Sequence, residues 1–393
     1  MSSPAPGPTC CAGRSPSPAA AARRPQLLLK AVQRLEPLDL GLARETYVNA
    51  WIAASAAGHL SRTDEIGEIS RAARALPPPP RRPRPLDLLL DGFAVLVTDG
   101  PAAAAPALRQ AAGAFASADI PREQVLQYGW VAATAASMLW DQETFRAIVV
   151  RQVELARSAG ALERLPVALV RQAIGDTWRG DFAGVEALMA EARAISETTQ
   201  GNLVVLYADS FAAALRGDQA EVMRLAGAAV ARAEGLGQGV ILTYAHWATA
   251  ILHNGRGCYA DALAAAEQAT RDDQWPLSDW ARPELIEAAV RTGETALAAH
   301  ALDRLTATTQ AGRTDFGLGV EARAGPAEQR RCGRGLVPRG DPPARAHQAA
   351  PGSGPRAPPV RRVAAPRKPP RRRARATAHR QRHAHRDRHD GVR

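Results

Sequence analysis

From Gln26 onward, apolar residues recur at the spacing of helices rather than strands. Leu28, Val32 and Leu35 fall four and three residues apart, with Leu27 beside them, before Pro37 interrupts the run; this predicts an amphipathic helix that stops near Leu35. Asp39 has the short acceptor side chain that caps a helix N-terminus. A second helix is therefore expected after it, carrying Tyr47, Val48 and Trp51. The stretch PPPPRRPRP, Pro77 to Pro85, cannot continue a helix, because proline lacks the amide donor and clashes with the preceding turn. It is expected as a surface connection. Helical spacing resumes over Leu86 to Thr98, Pro101 to Phe115 and Val125 to Leu139.

Beyond this point the chain repeats itself. A turn residue followed by a polar one occurs at Trp140-Asp141, Gly180-Asp181, Gly217-Asp218, Gly257-Cys258 and Gly293-Glu294, at offsets of 40, 37, 40 and 36 residues. The period is slightly longer than the roughly 34 residues of the tetratricopeptide unit. In the sharpest copy, Gly257-x-Tyr259-x-x-Ala262, glycine permits the tight turn, the aromatic wedges between two helices, and the small alanine lets them approach. Gly180-x-Phe182-x-x-Val185 is a looser copy and Gly217-x-x-x-x-Val222 a weaker one. The pattern predicts an all-α fold: a tetratricopeptide-like α-solenoid of helix-turn-helix pairs over residues 26–323. In such a solenoid each repeat touches its neighbours alone, so truncation is expected to weaken it stepwise.

Residues 1–25 are rich in Pro, Ser and Ala without apolar periodicity, and residues 324–393 contain 11 prolines from Pro326 onward and no aromatic residue. Neither segment can bury enough apolar surface to offset the entropy of ordering it, so both are expected to be disordered. Composition sharpens this division. Hydrophobic residues make up 46% of the chain but aromatics 5%, so the predicted core is built of Ala, Leu and Val at close helix spacing. The formal charge of +11 is concentrated at one end: from Ala324 to Arg393 there are 19 Lys plus Arg against 4 Asp plus Glu, a net of +15, which leaves the preceding residues at −4. Lys30 and Lys368 are the two lysines of the chain. With abundant Ala, Gly, Pro and Arg, this points to a GC-rich coding sequence and lowers the weight of any one Arg cluster.

Little in the sequence points to catalytic chemistry. A P-loop needs Lys-Ser or Lys-Thr after its glycines, whereas Lys30 precedes Ala31 and Lys368 precedes Pro369. Gly235-x-Gly237-x-Gly239 has the glycine spacing of part of a dinucleotide loop but no preceding strand, and is read as a helix-ending turn. No Gly-x-Ser-x-Gly elbow occurs. His246 and His253 lie seven residues apart on one predicted helix and are read as packed positions rather than ligands. His379, His383, His385 and His389 could take up a transition metal adventitiously, with nothing to hold a geometry. Cys10, Cys11, Cys258 and Cys332 form no CxxC pair. Trp275 and Trp280 flank a Pro-containing loop, where they either cap helix ends or anchor a ligand or peptide. No catalytic, cofactor-binding or metal-binding residue is assigned, and no cofactor. Lacking ~20 uninterrupted apolar residues, a basic start followed by an apolar run and a disulfide framework, the chain is expected in the cytoplasm, away from membranes.

Five stretches together carry a family resemblance: QRLEPLDLGLARETY at Gln33 to Tyr47, LDLLLDGFAVLVTDG at Leu86 to Gly100, RQVELARSAGAL at Arg151 to Leu162, ILHNGRGCYADALAAA at Ile251 to Ala266, and RPELIEAAVRTGETALA at Arg282 to Ala298. From Leu27 to Arg323 the chain resembles the helical region of large LuxR-type, MalT-like ATP-dependent transcriptional regulators of actinobacteria. The resemblance implies a module that senses an inducer or a protein partner. It also implies a fragment, since the ATPase that precedes this region and the helix-turn-helix that follows it in such regulators have no counterpart here. Where the family's helices continue, this chain turns to Arg and Pro. The peptide GLVPRGDPPARAHQ can be encoded so that the next frame reads DWYREAIHRLGRT, and QAAPGSGPRAPPVRRVA so that the same frame reads RLRPDLARAHLLYGEWL. Both hidden strings have helical apolar spacing. The tail is therefore read as frameshifted from near Ala324, a property the nucleotide sequence displays directly.

The rival reading makes the Arg-rich tail a nucleic-acid-binding device. Its charge is expected to bind polyanions by counterion release, without aromatics for stacking or an ordered helix for a groove. DNA binding is accordingly expected to weaken steeply with salt, to show no preference among sequences and to vanish when residues 326–393 are deleted. A salt-resistant, sequence-selective complex surviving that deletion, measured by fluorescence anisotropy, would establish the rival.

Overall fold

The computed structural model describes residues 24–60, 64–198, 204–271 and 278–325. They belong to the first of two compact units, Met1–Val337; the second, Pro338–Arg393, lies wholly outside the described residues. Among the described residues there are sixteen α-helices and no strand, as the apolar spacing predicts. They are α1 (Arg24–Leu35), α2 (Leu40–Ala57), α3 (Glu65–Ala75), α4 (Pro85–Asp99), α5 (Pro101–Ala116), α6 (Arg122–Met138), α7 (Gln142–Ser158), α8 (Leu165–Trp178), α9 (Phe182–Thr198), α10 (Val204–Arg216), α11 (Gln219–Leu236), α12 (Gly239–Gly255), α13 (Tyr259–Ala269), α14 (Ser278–Thr292), α15 (Thr295–Gly312) and α16 (Asp315–Ala324). No helix among them is long and apolar enough to cross a membrane.

Local sequence explains the boundaries. The Leu42 amide donates to Asp39 Oδ1 at 3.0 Å, which makes Asp39 the N-cap of α2. Pro85 sits in the first turn of α4, where its missing amide costs nothing. Helix α3 was not expected from the sequence, though its signals are present: Asp64 accepts from the Gly67 amide at 3.1 Å, and Ile66, Ile69 and Ala73 follow at helical spacing and are buried.

The repeated turns share one backbone conformation. Gly180, Gly217, Gly257 and Gly293 have φ of 78°, 74°, 73° and 90°, the left-handed region that ends a helix and favours glycine. After three of the five turns an aspartate caps the next helix: Asp141 accepts from the Thr144 amide at 3.0 Å, Asp181 from Gly184 at 2.9 Å and Asp218 from Glu221 at 3.1 Å. The first turn breaks the glycine rule. Trp140 occupies the same position with φ of 56°, a conformation costing about 1–2 kcal/mol for a residue bearing a Cβ.

What holds Trp140 there lies far along the chain. Its indole Nε1 donates to Thr308 Oγ1 at 3.0 Å, and its carbonyl accepts from Thr314 Oγ1 at 2.8 Å. Gly312 and Gly317 let the α15–α16 corner approach: a Cβ on Gly312 would lie 2.0 Å from the Leu139 carbonyl oxygen, and one on Gly317 2.8 Å from Trp140 Cβ. From α5, the Arg109 guanidinium donates to the carbonyls of Ala311 and Gly312 at 3.2 and 3.1 Å. Trp280 Nε1 donates to the Ser137 carbonyl at 3.2 Å. Helix α15 thus packs on α5, and α12 on α2. The superhelix is closed on itself, which corrects the expectation that each repeat touches only its neighbours.

The few aromatics gather where it closes. Trp247 lies 4.6 Å from Phe211, 6.0 Å from Trp178 and 5.9 Å from Trp280, ring centre to ring centre. Phe145 joins through Trp280, and Phe316 links Trp178 to Trp140. Because α15 packs on α5 and α12 on α2, unfolding is expected to be a single transition rather than a stepwise one. Trp140→Ala is expected to lower the unfolding free energy by about 3 kcal/mol, with circular dichroism and tryptophan fluorescence still coinciding in a urea titration. Separate transitions in the parent protein would overturn the closure argument.

Candidate functional site

A cavity of about 390 Å³ lies between α2, α6, α7, α8 and the first turns of α12. Its volume falls in the range of small-molecule sites, about 300–1,000 Å³. The walls are mainly apolar and aromatic: Trp51 and Ile52 from α2, Trp130 from α6, Val167 from α8, and Ile241 and Tyr244 from α12. Trp51 is fixed from behind by stacking on Phe93, with ring centres 4.3 Å apart and planes 11° from parallel. Glu163 and Arg164 also border the cavity and are exposed.

Polar side chains border the cavity as well, among them Thr134, Gln152, Arg171 and Gln238. From α8, Arg171 donates through Nη2 to Thr134 Oγ1 at 2.9 Å, and its guanidinium carbon lies 5.5 Å from the centre of the Phe145 ring, a cation–π geometry. Burial pushes the Tyr244 phenol above its ordinary value, while the positive charge of Arg171 acts in the opposite direction. Gln152 of α7 is 3% exposed and donates through Nε2 to the Val125 carbonyl at 3.3 Å. Gly129 of α6 makes room for that amide, because a Cβ there would come within 3.2 Å of Gln152 Cδ. Two fully buried oxygens of lining residues, Gln152 Oε1 and Ser55 Oγ, have no hydrogen-bond partner among the described residues. A buried polar atom left in this state costs about 1–3 kcal/mol.

The residues singled out in the sequence lie elsewhere. Trp280 is 7% exposed and belongs to the aromatic hub, so it is a packing residue rather than a ligand anchor; Trp275 lies outside the described residues. Gly237, with φ of 63°, forms the turn between α11 and α12, in keeping with a helix-ending turn at Gly235 to Gly239. His246 and His253 sit on α12 and are half-buried. His253, Cys258 and Asp261 each place one ligand atom within 4.8 Å of the others, a nitrogen, sulfur and oxygen set compatible with a transition metal. Cys258 and Asp261 are exposed. Cys10, Cys11, Cys332 and the four tail histidines lie outside the described residues.

No protein-family model, no curated protein and no solved structure matches the chain.

The Tyr244 environment has a measurable consequence. A phenol whose folded value is raised contributes stability that is present below the unfolded value of about 10 and is lost as pH rises through the folded one. Tyr244→Phe removes that proton linkage. Above about pH 10 the variant is expected to lose less stability with rising pH than the parent, measured as the urea midpoint. Parallel curves would show that Tyr244 is not buried as described.

Proposed function

We propose that this chain is the sensing module of a LuxR-type transcriptional regulator, and that the module works by holding a small inducer in the cavity between α2, α6, α7, α8 and α12. The observation that carries the reading is a space of about 390 Å³ bordered by Trp51, Trp130 and Tyr244 from three different helices. The sequence resemblance to the helical region of those regulators supports the same role. As a sensor the chain needs no catalytic group of its own. A ligand passes its state on through the helices it touches.

A ligand at 100 times its dissociation constant stabilises a folded protein by about 2.7 kcal/mol, which a thermal-shift screen against metabolites detects readily. Ala56 lines the cavity and is half-buried, so Ala56→Trp fills the space with little disturbance of the core. The expected outcome is a compound that raises the melting temperature of the parent and not of Ala56→Trp, with both giving the same circular dichroism. A shift that persists in the filled variant, or none across the library, counts against the sensing role.

A further inference from the structure

The five repeat turns are built on one backbone frame. In each, the residue after the turn donates its amide to the carbonyl five positions earlier: Asp141 to Ala136, Asp181 to Asp176, Asp218 to Ala213, Cys258 to His253 and Glu294 to Ala289, at 2.8 to 3.2 Å. The frame brings together the residue that accepts, the residue that donates and the first turn of the next helix. In four of the turns the donating residue is a carboxylate, and the accepting one is alanine or aspartate. The turn between α12 and α13 keeps the frame and changes the side chains. It puts an imidazole and a thiol at these two positions, with Asp261 three residues beyond the thiol.

The three side chains meet. His253, Cys258 and Asp261 each place a ligand atom within 4.8 Å of the other two. Unlike the aspartates at three equivalent turns, Cys258 makes no side-chain capping bond, and its thiol is not in a disulfide. His253 Nδ1 has no hydrogen-bond partner among the described residues, so the ring is not held there by the protein, and either nitrogen of a neutral imidazole can bind a metal. Cys258 and Asp261 are exposed, which gives an ion a path in from solvent. Sulfur and imidazole ligands select against magnesium and calcium, which take oxygen, and suit zinc. Zinc bonds of about 2.0–2.3 Å in a tetrahedron put ligand atoms about 3.5 Å apart, so closing on an ion needs a movement of about 1 Å, within reach of rotating two exposed side chains. Because the ligands come from one short stretch of chain, little closure entropy opposes binding.

We propose that His253, Cys258 and Asp261 bind one zinc ion through an imidazole nitrogen, the Cys258 sulfur and a carboxylate oxygen, with water in the fourth position. The thiol gives its proton to solvent as the sulfur–zinc bond forms. His253 is thereby a ligand, whereas the sequence alone reads it with His246 as a packed position. The site is separate from the cavity, since His253 lies in the last turn of α12 and the cavity is bordered by the first turns of that helix. The ion ties the end of α12 to the start of α13 and stabilises the corner between them.

The test uses the full chain, reduced and stripped of metal, with cobalt(II) as a coloured stand-in for zinc. To silence other thiols and the tail histidines, the reference protein carries Cys10→Ser, Cys11→Ser, Cys332→Ser, His379→Gln, His383→Gln, His385→Gln and His389→Gln. The reference is expected to take up one cobalt ion per chain with a sulfur-to-cobalt charge-transfer band, which zinc abolishes by displacement, and zinc is expected to raise its melting temperature. Adding Cys258→Ser is expected to remove both the band and the zinc-induced shift. Serine is a good N-cap, so this variant keeps the fold, which circular dichroism checks. Asp261→Asn and His253→Gln keep the thiol and are each expected to weaken cobalt binding roughly tenfold or more. Should His253→Gln not fold, the exposed Asp261→Asn carries that arm. Absence of the band in the reference, a band that survives Cys258→Ser, or unchanged affinity in every folded Asp261 and His253 variant overturns the site, the last because it would show a thiol capturing cobalt by itself.

Discussion

Closing a helical superhelix on itself demands one junction at which residues remote in sequence meet without a gap, and here that junction is Trp140. An ordinary repeat turn would place glycine at this position, as the later turns do. Tryptophan accepts the strained left-handed backbone because its indole is buried and hydrogen-bonded to Thr308, and its carbonyl to Thr314. The cost of about 1–2 kcal/mol is outweighed by the burial of the largest apolar side chain, worth about 3 kcal/mol or more. Two glycines on the facing corner, Gly312 and Gly317, supply the remaining clearance. With the junction made, the inner faces of the helices surround an aromatic hub rather than an open groove, and the cavity is the space that the hub does not fill.

Arginine does much of the joining. The Arg151 guanidinium donates to the carbonyls of Phe115, Ala118 and Ile120 at 3.2, 3.3 and 3.1 Å and also to that of Ser117, gathering the C-terminal end of α5 and the loop after it. Arg109 does the same for α15. A planar cation with several donors suits a helix C-terminus, where carbonyls lack helical partners and the dipole is negative. Near the other end, Arg44 is 3% exposed and donates to Asp87 Oδ1 at 2.9 Å, and it also pairs with Asp91. Burial would raise the Asp87 carboxyl, but hydrogen bonds and charge from Arg84 and the bond from Arg44 outweigh it, and the group lies below its ordinary value. An Arg-rich composition that reads in sequence as coding bias therefore also serves the fold, which becomes apparent only when the carbonyls it reaches are known.

Helix positions and repeat turns were legible because both depend on local chemistry: apolar residues every three to four positions, an aspartate cap, and a glycine that alone tolerates positive φ without cost. Trp140 was placed in the turn series, yet nothing local says that its indole meets Thr308. Helix α3 is short and ends against the proline run, yet Asp64, Ile66, Ile69 and Ala73 mark it. The cavity was not legible at all. Ser55, Gln152, Arg171 and Tyr244 belong to four different helices spread over much of the described chain, and each reads alone as an ordinary helical residue. Gly129 was the nearest thing to a signal, a glycine within a helix where alanine would be favoured by about 1 kcal/mol. Its reason is the Gln152 amide opposite it.

The position of the cavity follows from the closure and acts back on it. Helices α2 and α12, which pack together although remote in sequence, both contribute wall residues, as do α6 and α8 between them. Trp51 from α2 and Tyr244 from α12 border the same space. An occupant that touches both is bound by residues nearly 200 positions apart, so its binding free energy adds directly to the contacts that hold the superhelix closed. The relation is reciprocal, since whatever loosens the Trp140 junction must also lower affinity for the occupant. In an open solenoid, where repeats touch only their neighbours, a ligand would stabilise two or three helices. In a closed one it is coupled to the whole circuit, and the feature that makes the coupling possible is a single tryptophan in a turn that would otherwise need glycine.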